Sequence, residues 1–250
     1  METLSRLCKH AVVLGLAVLV VGLLAVPVFA DTTFSDSTFN LSNYTQTTVY
    51  NSDPIGTTLT VQQCTSCGNP GLGLQLAATN QNVATSSVGL IGNLFHFNPS
   101  TQGTITSIDA SVDKDLSINF INQSSTPAGN TFRPLIYQDG VIYMAAIAGP
   151  GILTGQDTTG YNNISATGLT AADFLSYSFL TGTFGSANPN FNGDPMYFGL
   201  GQVFGSGSPG ENLTADYDNF QLTVHTPEPN SLFLLGFGLA ALALLARFRH

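Results

Sequence analysis

The chain has no tryptophan, three cysteines, and six lysines and arginines in 250 residues. Four of those basic residues, Arg6, Lys9, Arg247 and Arg249, lie at the ends. The stretch Asp31 to Thr226 therefore keeps only Lys114 and Arg133 against twelve aspartates and Glu211. A body so poor in cations cannot neutralise phosphates, which excludes nucleic acid and anionic lipid surfaces as its partners. Cys8 belongs to the first ten residues, leaving Cys64 and Cys67 for the body. Two cysteines do not make a structural zinc site, even with His96 and His225. Glutamate is equally scarce: Glu211 is the only one in the body and sits in a Gly/Pro-rich stretch, so no Glu-x-Asp-x-x-Glu strand exists to supply a hydrolytic carboxylate pair. His96, in Leu94-Phe95-His96-Phe97, has no Gly-x-Ser-x-Gly partner and reads as a sheet or core histidine.

The ends are rich in what the body lacks. Arg6 and Lys9 precede an apolar run from Ala11 to Val26, and Pro27-Val28-Phe29-Ala30 finishes in the pattern of a secretory signal cleaved after Ala30. Residues 1–30 are therefore read as a signal helix, 31–226 as the folded domain and 227–250 as a separate C-terminal segment. In that last segment Pro227-Glu228-Pro229 holds the chain extended. The apolar stretch Ser231 to Ala246 follows; as a helix it would span about 24 Å of a hydrocarbon core about 30 Å thick. Arg247 and Arg249 would snorkel and stay on the cytoplasmic side, leaving the acidic body outside.

Between the ends the texture is all-β: Gly, Ser, Thr and Asn dominate, and apolar residues alternate in short runs. Ile108, Ala110 and Val112 alternate with polar neighbours, as do Leu116, Ile118 and Phe120. Leu135 to Gln138, then Asp139-Gly140, then Val141 to Met144 spells a two-residue type I′ hairpin. Tyr197 to Leu200 and Phe220, Leu222, Val224 predict two further strands, and Thr170 with Asp173 predicts a capped short helix at Leu169 to Phe174. Cys64-Thr65-Ser66-Cys67 has the spacing of a redox motif but no helix start or cation beside it. A local disulfide pinning a loop is the better reading, contributing roughly 2 kcal/mol in a chain-entropy model.

The C-terminal order of Pro-Glu-Pro, apolar helix and basic cluster resembles the PEP-CTERM sorting signal of Gram-negative bacteria. That resemblance, confined to Pro227 to His250, implies recognition by an exosortase in the inner membrane, cleavage near the motif, and release towards the cell surface or an exopolysaccharide matrix. Asn230-Ser231 departs slightly from the small or apolar residue many relatives place after the motif. In the body, Pro195 to Leu200, the Gly/Ser-rich loop Gly205 to Gly210, and Ala215 to Val224 are similar to the last two strands of concanavalin A-like jelly-roll domains. This implies a jelly-roll-like antiparallel β-sandwich and makes lectin-like binding conceivable.

The expected role is thus a non-enzymatic, exosortase-sorted surface or matrix protein, anchored transiently in the inner membrane. The alternative is a secreted carbohydrate-binding module; third comes a glycan hydrolase using Asp109, Asp113 or Asp115, which alternate along one strand and more simply form a solvated face. Asp216, Asp218 and Asn219 are close enough in sequence to share a Ca²⁺ ion, the one cofactor the sequence suggests. Tyr161, Tyr177, Tyr197 and Tyr217 are the candidate glycan-stacking aromatics, and Asn40, Asn43, Asn122, Asn163 and Asn212 head glycosylation sequons.

Overall fold

The computed structural model describes residues 30–120, 129–146, 153–154, 160–207 and 209–227. The expected signal helix, the expected transmembrane helix, Glu228, Pro229, Arg247, Arg249 and Asn122 lie outside the described residues. Among the described residues no helix is long and apolar enough to cross a membrane. Asp31 to Thr226 form one compact unit.

That unit is a sandwich of two antiparallel sheets. Along the chain run β1 (Thr32–Asp36), β2 (Tyr44–Gln46), β3 (Tyr50–Asn51), β4 (Thr57–Gly68), β5 (Gly71–Asn80), β6 (Thr85–Phe97), β7 (Ser107–Phe120) and β8 (Gly129–Gln138). They are followed by β9 (Val141–Ala145), β10 (Leu153–Thr154), β11 (Asn162–Leu169), β12 (Phe174–Ser178), β13 (Thr183–Phe184), β14 (Met196–Gly205) and β15 (Glu211–His225). One sheet has six strands in the order β11-β7-β15-β5-β4, with β1 also on β15. The other has nine, ordered β13-β12-β9-β8-β14-β6-β2, with β10 on β8 and β3 on β6. The chain crosses repeatedly between the sheets, so β14 and β15, consecutive in sequence, lie at the centres of opposite layers in the jelly-roll manner.

Alternation builds the core. Leu74 and Leu76 of β5 and Ile108, Ala110 and Val112 of β7 face Val88, Leu90, Phe132, Ile136, Phe198 and Leu200 of the other sheet, all essentially inaccessible to water. Each such large side chain contributes about 1.5–3 kcal/mol on burial. The hairpin turn forms at Asp139 and Gly140, both at positive φ, with Gln138 opposite Val141. The expected short helix is instead a single 3₁₀ turn, Ala171–Asp173. There the Asp173 carboxylate accepts from Thr170 N at 2.7 Å and Thr170 Oγ1 at 2.8 Å.

Strand β15 contains the decisive irregularity. Leu213, Ala215 and Tyr217 face the core, and so do Phe220, Leu222 and Val224, although the two sets have opposite parity. A bulge absorbs the extra residue: Asp218 opposes Asp113 and Gln221 opposes Ser111, three steps against two. Asn219 takes φ 51°, the left-handed region that Asn and Gly tolerate best.

Strand β7 contains a second. Lys114 continues the inward series of Val112 and Leu116, is 1% exposed, and donates from Nζ to the Asn130 carbonyl at 2.6 Å. Burial pushes its ammonium down to about 7.

Two outcomes follow from these features. Asn219→Val should destabilise the protein by about 1–2 kcal/mol in chemical denaturation, whereas Asn219→Gly, which keeps the backbone geometry, should cost less. Between the folded value of Lys114, about 7, and its ordinary 10.5, the unfolded chain holds a proton that the folded chain releases. Stability from this group therefore rises with pH across that window, and Lys114→Met should remove the rise when urea midpoints at pH 7 and pH 9.5 are compared.

Candidate functional site

The outer face of the nine-stranded sheet combines two environments. Strand β14 turns Tyr197, Gly199, Gly201 and Val203 outward, β8 turns Arg133, Leu135 and Tyr137 outward, and β9 adds Ile142 and Met144 in register. Over one half, the segment after β12 folds back. Leu135, Met144, Tyr177 and Phe179 then form a small second core, with Ile142 and Val203 against it. The Tyr177 hydroxyl bonds with Ser87 Oγ at 2.9 Å, and the Arg133 guanidinium lies 5.6 Å from the Phe184 ring centroid. Gly201 makes this close cover feasible, since a Cβ there would stand 2.9 Å from both Leu135 Cδ2 and Met144 Sδ.

The other half stays open as a groove of about 500 Å³. Tyr137, Tyr197, Ile91 and Ile142 line it with apolar surface, and Thr45, Gln46, Thr47 and Asn93 supply hydroxyls and amides. The Tyr137 and Tyr197 rings are 6.4 Å apart, and exposed His96 packs on Tyr197 at 4.8 Å. The wall is made by a bulge in β6: Gly199 pairs with Ile91 and Tyr197 with His96, so residues 92–95 exceed what β14 can match. That excess pushes Asn93 to the groove, where its Oδ1 accepts from Thr45 Oγ1 at 2.8 Å, and leaves Leu94 73% exposed. No carboxylate, lysine or arginine is among these lining residues. Such a surface suits a neutral ligand with apolar faces and many hydroxyls, and it offers no acid–base pair.

Of the four tyrosines predicted as stacking residues, only Tyr197 lines this groove. Tyr217 is fully buried, its hydroxyl within bonding reach of Asn130 Oδ1 and Gln202 Oε1. Tyr177 belongs to the covered half, and Tyr161 donates to the Cys67 carbonyl. Burial, then the Asp216, Asp218, Asp115 and Asp113 charges, pushes the Tyr161 hydroxyl up. Tyr137 escaped notice because it alternates with an equally apolar inward set, Ile136 and Pro134, so no polarity contrast marks its face.

Asp109, Asp113, Asp115 and Asp216 lie on the opposite surface, the outer face of the six-stranded sheet, with Asp218 buried beside them. Asp115 lies opposite Asp216, and Asp113 opposite Asp218. Burial raises the Asp216 carboxyl; a bond from Gln75 Nε2 at 2.9 Å opposes the rise, and the Asp115 charge reinforces it. Asp218 accepts from Asn69 N at 2.5 Å and Asn219 N at 2.7 Å, while Asp113 accepts from the side-chain nitrogens of Asn163 and Asn219, each at 2.9 Å. Asp109 accepts from Gly168 N at 2.6 Å. N–H donors thus serve Asp109, Asp113, Asp216 and Asp218, and Asn219, at the bulge, turns its amide nitrogen to Asp113. Among the described residues no three His, Cys, Asp or Glu side chains are grouped to hold a metal ion. Glu211 is buried at the start of β15, where it accepts from Ser206 Oγ at 2.8 Å and Gly207 N at 3.0 Å and so braces the crossing from β14. Cys64 and Cys67 are joined in a disulfide, with Cα atoms 5.7 Å apart.

The last strand runs directly into the motif-bearing segment, with Pro227 exposed one residue past Thr226. Residues 225–249 match the PEP-CTERM protein-sorting motif. The PEP-CTERM motif marks an exported protein sorted at the membrane. No curated protein matches the chain. Solved structures similar to it include a family 11 carbohydrate-binding module of a cellulosomal cellulase of Clostridium thermocellum, at 11% identity and TM-score 0.43, covering 80% of this chain and 98% of that one. Another is the family 11 module from the same organism in complex with a β-1,3-1,4-mixed-linked tetrasaccharide, at 11% identity and TM-score 0.41, covering 82% of this chain and 100% of that one.

Proposed function

We propose that the chain is a non-enzymatic cell-surface or extracellular-matrix protein. It is exported through residues 1–30, held briefly in the inner membrane by the segment after Pro229, and processed there by an exosortase. The observation that carries this reading is the PEP-CTERM motif at residues 225–249, placed directly behind the last strand of a folded body. Replacing Pro227, Glu228 and Pro229 with alanine should leave full-length protein in the inner-membrane fraction. The unaltered chain should yield a shortened, released product, by intact mass and fractionation.

A second reading concerns what the released body does. The Tyr137–Tyr197 groove favours extracellular polysaccharide as its partner: tyrosine faces stack on the apolar faces of sugar rings, and Thr45, Thr47 and Asn93 meet their hydroxyls. The absence of charge from its lining fits a neutral glycan better than an acidic one. Tyr197→Ala and Tyr137→Ala should each weaken retention on an insoluble neutral polysaccharide about tenfold, roughly 1.4 kcal/mol. Retention should be insensitive to EDTA, since no carboxylate lines the groove.

A further inference from the structure

The edges of the two sheets differ in how they are protected. In the nine-stranded sheet the terminal strands β13 and β2 are two and three residues long. At one end of the six-stranded sheet, β11 is eight residues long and broken by a register shift between Ala166 and Leu169. Shortness, bulges, prolines and charges are the means by which an edge is kept from pairing with another chain. Strand β4, the other edge of the six-stranded sheet, is twelve residues long, keeps unbroken register with β5 from Thr57 to Cys64, and contains no charge and no proline.

The start of β4 shows which of its backbone groups face away from β5. The Gly56 carbonyl accepts from Gln81 N at 2.7 Å, on the β5 side. Thr57 faces the other way, and both its groups are used: its N–H donates to the Asp53 carbonyl at 3.0 Å, and its carbonyl accepts from Asn51 Nδ2 at 2.8 Å. Because successive residues of an antiparallel strand alternate in this respect, Leu59, Val61 and Gln63 also turn their N–H and C=O groups outward. Among the described residues no strand other than β5 pairs with β4, and no backbone bond uses these outward groups. The Gln63 side chain donates to the Thr38 carbonyl at 2.6 Å, which closes the free stretch at that end. Thr58, Thr60 and Gln62 are exposed on the outer face, whereas Leu59 and Val61 pack against the core and stay partly open.

We propose that β4 pairs with β4 of a second copy, antiparallel and centred on Val61, so that two six-stranded sheets become one. The spacing argues for a second copy over an unrelated chain. The outward residues stand evenly about Val61, so a two-fold axis there sets Leu59 of one copy opposite Gln63 of the other, and every outward N–H and C=O finds its complement. Such a contact uses the same patch twice and closes at two copies. Thr60 then stands opposite Gln62, uncharged against uncharged, and the two Val61 side chains meet at the rim of the core. Since the strand carries no carboxylate, the acidic body brings no like charges together along it. A contact this short is smaller than a standard interface, so the pair is weak and concentration-dependent. The Tyr137–Tyr197 groove lies on the other sheet, so a pair carries two grooves and gains avidity on a polymer; that consequence alone rests on the polysaccharide reading.

Asp31 to Thr226 form a compact unit with its own core, so the test uses that body, by sedimentation equilibrium at physiological salt over a concentration series. The parent should associate reversibly and stop at two copies. Thr60→Lys combined with Gln62→Lys sets like charges directly opposite each other, as does Thr60→Glu combined with Gln62→Glu. Each double variant alone should associate at least about tenfold more weakly, with its circular dichroism unchanged. An equal mixture of the two should restore the pair, which a misfolded variant could not do. A parent that stays monomeric at millimolar concentration overturns the proposal, and so does a mixture no tighter than its components. Association that continues past two copies sets β4 against a different edge, such as β11, and overturns the two-fold pairing.

Discussion

The parity switch at Asp218-Asn219 is the constraint on which the rest of the body depends. Strand β15 pairs with β7 along nearly its whole length, while β5 and then β1 share its other edge. A regular strand would send either Leu213 to Tyr217 or Phe220 to Val224 into water. The cost would be several side chains at about 1.5–3 kcal/mol each. One residue at positive φ, Asn219, keeps both halves in the core. It also decides what faces outward afterwards: Gln221, Thr223 and His225 share a surface with Asp109, so the contacts of His225 with Asp31 and Asp109 are a consequence of the bulge. The Asn219 amide nitrogen donates to Asp113 and so holds this turn.

The two outer faces then diverge in chemistry. The six-stranded sheet presents hydroxyls, amides and paired aspartates; Asp113, Asp216 and Asp218 accept from neighbouring N–H groups, and Asp109 lies 3.0 Å from the His225 imidazole. The nine-stranded sheet exposes apolar surface, half of which is covered by Tyr177 of β12 and Phe179 just after it. What remains uncovered is the Tyr137–Tyr197 groove, shaped by the β6 bulge that displaces Asn93. Both sheets thus use a bulge to create their distinctive region, and in both the irregularity sits on a strand that is otherwise regular and long.

The sequence made the sandwich legible because β strands with a polar outer face alternate cleanly, as β7 and the second half of β15 do. The Asp139-Gly140 turn was legible for a local reason, its tolerance of positive φ. The groove was not, because a strand apolar on both faces, such as Leu135-Ile136-Tyr137, gives no sign of which residue points outward. Lys114 was visible in principle: it occupies the inward register set by Val112 and Leu116, and the charge on its side chain concealed that fact. The Asp31–His225–Asp109 contact joins residues up to 194 positions apart and needs a bulge to align them, so no local pattern could announce it. The short helix at Ala171 shrank to a 3₁₀ turn because capping by Thr170 and Asp173 nucleates a turn, and too few residues follow before β12 to extend it.

The central claim is that the open half of the nine-stranded face is the surface with which the released protein meets its surroundings. Chemical-shift mapping on that protein, titrated with a soluble neutral glucan oligosaccharide, tests it most directly. The account predicts saturable shifts confined to Tyr137, Tyr197, His96, Asn93 and Thr45 to Thr47. Shifts centred on Asp113, Asp115 and Asp216 of the opposite sheet, or none at millimolar ligand, would contradict it.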